Sequence, residues 1–316
     1  MKRFIIYTLL FLAPVIIVLL TLEYMLKSIP STYQLKAEYL HKDLDKIKVL
    51  CLGNSSGAYG FDPEYFSDYT FNAAQVSQSL DMDCAILEKN IDQLDSLEYV
   101  ILAVSYPSLF FKLDMSVEKW RLPYYRYYGI DTGYEESKKP LLFKDAMGNN
   151  IRRIKQYYID KDDPARKMTS QGIITLDPSN NRTTLQVKAR EVAIRHTVRK
   201  LDMPLMEENA GYIVKMINLA FRKKAKVILV TLPFHEDYKN QMYEPQWNLV
   251  KDALTKLGES DENVYYYDMN EYSSGYQLED FYDGNHLSYI GARKASLQLN
   301  TIIQKIEAQK NPALSQ

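Results

Sequence analysis

The chain has 316 residues, 46% of them hydrophobic and 25% charged, which suits one large α/β domain with an insertion, or two small domains. Its 39 basic and 40 acidic residues leave a formal net charge of −1, so composition gives no electrostatic case for nucleic acid as a partner. Tyrosine is abundant, at 26 residues; it suits half-buried surfaces and stacks on sugars, and a composition bias of the source explains it equally.

Met1-Lys2-Arg3 is a short basic start, and residues 4–22 follow without a charged side chain. As a helix rising ~1.5 Å per residue this stretch spans about 28 Å, close to the hydrocarbon thickness of a bilayer. Pro14 is tolerable inside a membrane helix. A cleaved signal peptide would have a shorter apolar core and a small-x-small site after it, and residues 23–30 offer no clear one. Residues 1–27 are therefore expected to be an uncleaved transmembrane signal anchor. Lys2 and Arg3 put the N-terminus in the cytoplasm, a bias that Lys27, Lys36 and Lys42 on the other side make modest. A single-pass protein of the cytoplasmic membrane follows, with its C-terminal domain extracytoplasmic.

Residues 28–45 are polar and charged and read as a stalk, or a short helix leaving the membrane. The domain is expected over residues 46–309. Residues 47–52 form a short apolar run that stops at Gly53, the mark of a buried strand. Residues 69–71 are a second strand candidate, ending at Asn72. Leu80, Cys84, Leu87, Ile91 and Leu94 recur at steps of four and three, a helical stripe. Residues 98–105 are another buried strand, stopped near Pro107. The rhythm fails over residues 112–204, which read as an insertion; the aromatic-basic run at 120–128 within it suits an anionic glycan or simply the packing of a lid.

Regularity then returns. Ile213, Met216, Ile217, Ala220 and Phe221 make one helical face, residues 227–232 a strand ending at Pro233, and Trp247, Val250, Ala253, Leu254 and Leu257 another helical face. Residues 264–267 are a strand. Ser288 caps a final helix to about Ala308, and residues 310–316 are a polar tail. Alternating strands and helices predict a doubly wound, mainly parallel α/β sheet. Such sheets hold their sites beyond the carboxyl ends of the strands, where Ser55, Asn72, Ser105 and Pro233 fall.

Cys51 sits in a strand and Cys84 on an apolar helical face, so buried free thiols are expected; a disulfide is left open. No grouping has convincing metal spacing, and no phosphate-binding glycine loop is present. No cofactor is called for. Asn54 and Asn181 each begin a chance-level glycosylation triplet.

The chemistry-bearing residues lie near the two ends of the chain. Ser55 follows a strand and Gly53, which permits a sharp turn. A serine hydroxyl needs a base within hydrogen-bond reach. His286 is the best base, and Asp283, three residues before it, can hold the imidazole tautomer. Asp280 is a rival orienting carboxylate. Asp62 and Asp268 read as turn and strand-end residues. The backbone N–H groups of Ser55 and Ala74 are candidate oxyanion donors. His235, at a strand end, is expected to line the same pocket; His41 reads as solvated and His196 as part of a surface helix. Either motif alone is also ordinary turn chemistry. Their pairing at strand ends points to a serine hydrolase or acyltransferase.

Gly53-Asn54-Ser55-Ser56 resembles the Gly-Asp-Ser block of SGNH/GDSL hydrolases, and Asp283-Gly284-Asn285-His286 resembles their terminal Asp-x-x-His block. The resemblance covers residues 46–110 and 213–305. The opening from Gly53 through Gly60-Phe61-Asp62-Pro63 is most similar to membrane-anchored SGNH-like proteins of bacterial envelope polymer modification, relatives of the D-alanyl transfer protein of teichoic acid synthesis and of polysaccharide O-acetyltransferases. The resemblance implies a flavodoxin-like SGNH fold, with Ser55 as nucleophile, His286 as base and Asp283 as orienter. It departs in two places. Asn72-Ala73-Ala74 carries Ala where the second block has an oxyanion-hole Gly. Val104-Ser105-Tyr106-Pro107 lacks the third block's Asn, leaving Ser105 or Tyr106 as substitute donors; losing one such donor costs ~10²–10³ in rate. The expected function is hydrolysis or transfer of an O-acyl group, foremost acetyl, on an envelope glycan or an acylated small molecule. The alternatives are an inactive SGNH-like domain that binds glycan or scaffolds a membrane-bound acyltransferase, and a secreted lipase-like esterase.

Overall fold

The computed structural model describes residues 2–134, 140–143, 146–271 and 275–310. The polar tail expected at 310–316 lies, from 311 on, outside the described residues. Five strands form one sheet: β1 (Val49–Gly53), β2 (Thr70–Asn72), β3 (Tyr99–Ala103), β4 (Lys226–Thr231) and β5 (Val264–Asp268). Their order is β2-β1-β3-β4-β5, and every pairing is parallel. This is the flavodoxin-like doubly wound order, whose direction reverses between β1 and β3.

The helices are α1 (Lys2–Lys27), α2 (Thr32–Lys42), α3 (Ser55–Gly60), α4 (Leu80–Asn90), α5 (Met147–Lys155), α6 (Arg182–His196), α7 (Met203–Arg222), α8 (Glu236–Lys239), α9 (Glu244–Gly258) and α10 (Tyr289–Lys310). Successive strand side chains point to opposite faces, and each face has its own core. Leu50, Leu52, Val100, Leu102, Val227 and Leu229 meet α2, α4, α7 and α9 on one side. Val49, Cys51, Ile101, Ala103, Ile228 and Val230 meet α6, α8 and α10 on the other. Burial on both faces is why the strands read as continuous apolar runs rather than alternating ones. Cys51 and Cys84 are buried, free and in different cores, which closes the question of a disulfide between them.

Two expectations about segments change. Residues 28–45 do not stand off as a stalk. In α2, Tyr33, Ala37 and Leu40 are buried in the first core, and Tyr33 stacks on Tyr124 at 5.5 Å. The insertion 112–204 is not one detached lid either. Residues 119–128 wind as 3-10 turns that bury Leu122, Tyr125 and Tyr128 beside α2, so this aromatic-basic run mostly packs core. Leu185, Ala189 and Ala193 of α6 belong to the second core.

The outer edge of β2 is closed by the same insertion. Gln171 accepts the Asn72 N–H through its carbonyl at 2.9 Å and donates from Nε2 to the Thr70 carbonyl at 3.1 Å. Gly172 follows at φ +88°, where an added Cβ would lie 2.3 Å from the Asn72 oxygen, so only glycine fits. Covering the edge removes an open template for strand pairing. At the other extreme, α1 is the one described helix long and apolar enough to cross a membrane. Most of its side chains are exposed, and only its last turn, at Leu26, is buried against the rest of the protein.

Candidate active site

β1 ends in Gly53 at φ +129°, where a Cβ would come within 2.8 Å of the Ala103 Cβ and carbonyl on β3. The chain therefore turns sharply out of the sheet beside the switch point. Gly53 donates its N–H to Asp83 Oδ1 at 2.7 Å, and Gln78 Nε2 donates to the same oxygen at 2.6 Å. Burial pushes the Asp83 carboxyl up to about 7 despite these two bonds. Asn54 caps α3: its Oδ1 accepts from the Ser56 N–H at 3.0 Å and the Ser56 hydroxyl at 2.8 Å. Its Nδ2 reaches across the switch point to Ser105 Oγ at 2.6 Å and Ser108 Oγ at 3.2 Å. Ser55 is thus held at the first position of a helix, with its hydroxyl free to face the opposite loop.

That loop precedes α10. Asp283 Oδ1 accepts the N–H groups of Asn285 and His286, both at 3.0 Å, in a local turn typical of Asp. Asp283 Oδ2 lies 2.9 Å from His286 Nδ1, and His286 Nε2 lies 2.8 Å from Ser55 Oγ. A carboxylate facing Nδ1 keeps the proton there, which leaves Nε2 as acceptor for the Ser55 hydroxyl. Burial raises the Asp283 carboxyl, but its bonds from the His286 ring and the two backbone N–H groups outweigh this and hold it below its usual value. Asp280 is not the orienter: its Oδ2 takes Lys294 Nζ at 2.6 Å and the Gln277 N–H at 2.7 Å. Ser288 caps α10 as expected, accepting the Ile290 N–H at 3.2 Å.

The remaining expected site residues fare differently. Asn72 is fully buried and staples α3: its Nδ2 donates to the Gly57 carbonyl at 3.0 Å and the Phe61 carbonyl at 2.7 Å. Its Oδ1 accepts the Ala74 N–H at 3.0 Å. Both Asn72 and the Ala74 N–H are therefore committed within the protein rather than open to a substrate oxygen. The Ala73 and Gln75 N–H groups are likewise bonded, to the Cys51 and Gly53 carbonyls. Ser105 is held by Asn54 and Ser108. The Tyr106 hydroxyl, fully buried, lies 3.0 Å from Thr197 Oγ1 and accepts the Tyr243 N–H at 2.9 Å, so it braces α6 against α9 instead of facing the site. The Ser55 N–H has no acceptor among the described residues, as the first turn of a helix allows. His235 donates its N–H to the Gly284 carbonyl at 3.0 Å and lines a cleft of about 550 Å³ with Arg182, Lys239 and Gln277; neither Ser55 nor His286 lines it.

Two residues beside His286, Asn285 and Tyr59, were not singled out from the sequence, and His196 was read differently. Asn285 Nδ2 lies 3.2 Å from His286 Nε2, and Asn285 Oδ1 is buried without a partner. The Tyr59 ring meets the His286 ring edge-on at 5.4 Å. His196, expected on a surface helix, bonds Tyr238 Oη through Nδ1 at 2.7 Å. Burial, helped by the charges of His286 and Arg195, lowers its pKa to about 4. Asn285 was legible in principle, as the neighbour of the proposed base; Tyr59 sits one helical turn after Ser55 and so returns to its face.

No family model matches the chain, and no curated protein matches it. Among solved structures, it is similar to a protein from Streptococcus pneumonia, provisionally described as a platelet activating factor, at 13% identity and a TM-score of 0.43, covering 91% of this chain and 98% of that one. It is similar to a provisionally assigned acylhydrolase from Bacteroides fragilis, at 12% identity and 0.42, covering 85% and 95%. A GDSL-like lipase from Bacteroides thetaiotaomicron matches at 10% identity and 0.41, covering 88% and 99%.

Proposed function

We propose that this chain is a serine-dependent esterase or O-acyltransferase, anchored in the cytoplasmic membrane by α1 and acting outside it on acyl groups, foremost acetyl, of an envelope glycan. The observation that carries the reading is the hydrogen-bonded series Ser55 Oγ, His286 Nε2, His286 Nδ1, Asp283 Oδ2, at 2.8 and 2.9 Å, above the carboxyl ends of the strands. Ser55 Oγ bonds to the acyl carbonyl carbon while its proton passes to His286 Nε2. The imidazolium, steadied by Asp283, returns that proton to the departing alcohol as the ester C–O bond breaks. Water or a sugar hydroxyl then attacks the acyl-serine, giving its proton to Nε2; the acyl C–Oγ bond breaks, and Nε2 returns the proton to Oγ, restoring Ser55 and the neutral imidazole. The Ser55 N–H, without an acceptor among the described residues, is the backbone donor available to the developing oxyanion.

The test is labelling of the full-length protein with a serine-reactive phosphonate. Labelling that disappears in Ser55→Ala and His286→Ala supports the reading; labelling that persists in both removes it. The commitment of the Ala74 N–H and of Ser105 favours a second reading, a catalytically silent domain that binds glycan or scaffolds a membrane-bound acyltransferase. Glycan retention that survives Ser55→Ala, with no label on the parent protein, would select it.

A further inference from the structure

Where α1 ends, a second amphipathic segment is fastened to it. Glu23 accepts the Leu141 N–H at 3.1 Å and the Leu142 N–H at 2.9 Å, one through each carboxylate oxygen. Leu26, Ile29 and Leu142 form a small separate core, against which Leu22, Ile154, Tyr157 and Tyr158 pack. Tyr158 Oη donates to the Met25 carbonyl at 3.2 Å. Thus Leu141–Phe143, α5 and the π turn after it (Gln156–Asp160) are held at the last turns of α1, the level at which an apolar span gives way to charge at Glu23 and Lys27.

What this segment leaves outward is unusual for a surface facing water. Phe143 is 67% exposed, Met147 42%, Ile151 53% and Ile159 71%. Met147 and Ile151 are four residues apart and share one side of α5. Asn150 and Ile154 of the same helix turn inward, Asn150 donating to the Leu142 carbonyl at 3.0 Å. Arg152 and Arg153 carry no acidic partner among the described residues. Exposed apolar side chains on either side of the Lys155–Asp160 pair at 3.6 Å, with flanking arginines and paired tyrosines at the end of a membrane-length helix, fit a lipid headgroup layer.

We infer that Leu141–Phe143, α5 and the following π turn lie in the headgroup layer of the membrane that α1 crosses. Phe143, Met147, Ile151 and Ile159 enter the acyl boundary, and Arg152 and Arg153 meet lipid phosphates. The inference rests on α1 being a membrane span. It gives the protein a second membrane contact, which fixes the tilt of the domain over the bilayer instead of leaving it on a swivel.

The test uses full-length protein in vesicles of phosphatidylcholine mixed with phosphatidylglycerol, some carrying doxyl groups near the headgroup. Single cysteines replace Phe11, Ile151, Ile159 or the exposed Val214 of α7, and each is labelled with an environment-sensitive fluorophore; the native Cys51 and Cys84 are buried. The expected result is blue-shifted, doxyl-quenched emission at 151 and 159, with water-like emission at 214. Water-like emission at 151 and 159, with quenching at 11, overturns the inference and leaves the anchor standing. Water-like emission at 11 overturns the anchor and the inference together. A blue shift at 151 without quenching marks a protein over this face and also overturns it.

Discussion

Asn72→Ala separates a structural role from a substrate-binding one. The wild-type side chain makes two firm donations, to the Gly57 and Phe61 carbonyls, and accepts one bond, from the Ala74 N–H, at a position with no solvent access. At ~1 kcal/mol net per bond the loss is about 3 kcal/mol, and more because the former partners are left buried and unpaired. For a chain of this size about 3 kcal/mol lowers Tm by about 5 °C. Thermal unfolding of the full-length protein in detergent micelles reads this directly, with phosphonate labelling of Ser55 at a permissive temperature as the second measurement. The expected outcome is a lower Tm with labelling retained, since Ser55, His286 and Asp283 are untouched. An unchanged Tm with labelling lost would refute the assignment and return Asn72 to the substrate.

Asp283→Asn keeps an oxygen for the Asn285 and His286 N–H groups but cannot enforce the Nδ1–H tautomer; ester turnover should fall by ~10⁴ with Tm little changed, measured with a chromogenic acetyl ester. Because the Asp283 carboxyl is held below its usual value, its contribution is present at neutral pH and disappears only as pH falls through that lowered value, so turnover in Asp283→Asn should lack the lowest-pH arm of the wild-type profile. Asn285→Ala removes the amide beside Nε2; a fall in kcat with KM unchanged is expected, and equal losses in both would disprove a role at the reacting imidazole. His196 stays neutral in the fold down to about 4, against 6.5 for the free side chain, so the unfolded chain binds the extra proton first. Stability is therefore full above 6.5 and is lost as pH drops toward 4, by up to about 3 kcal/mol. His196→Gln should flatten that slope in chemical denaturation, and an unaltered slope would refute it.

The strands were legible, and so was the meeting of Ser55 with the Asp283–His286 turn, because apolar runs and short polar turns are local signals. Apolar runs stopped by Gly53, Pro107 and Pro233 mark buried strands, and parallel order puts their ends at one rim. What remained hidden depends on which partner a group has already taken. Asn72 and Ala74 sit where the motif places them, yet their polar groups are satisfied by α3 and by each other, which no spacing reveals. The small side chains Ala189 and Ala193 of α6 give little hydrophobic signal, although Gly284 packs so closely there that a Cβ would lie 2.5 Å from the Ala189 Cβ. α2 was different: Tyr33, Ala37, Leu40 and Leu44 follow the same four-and-three steps as α4, hidden only by the polar residues between them.

The Ser55–His286 contact joins positions 231 residues apart, and the Asp62 N–H donates to Ser296 Oγ of α10 at 2.8 Å across a similar gap. A chain under synthesis therefore displays the Ser55 hydroxyl long before His286 exists to face it. On the proposed function, reactivity toward an acyl donor waits for His286 and the helix α10 that follows it; a chain ending before Leu287 that still took up the phosphonate would contradict this.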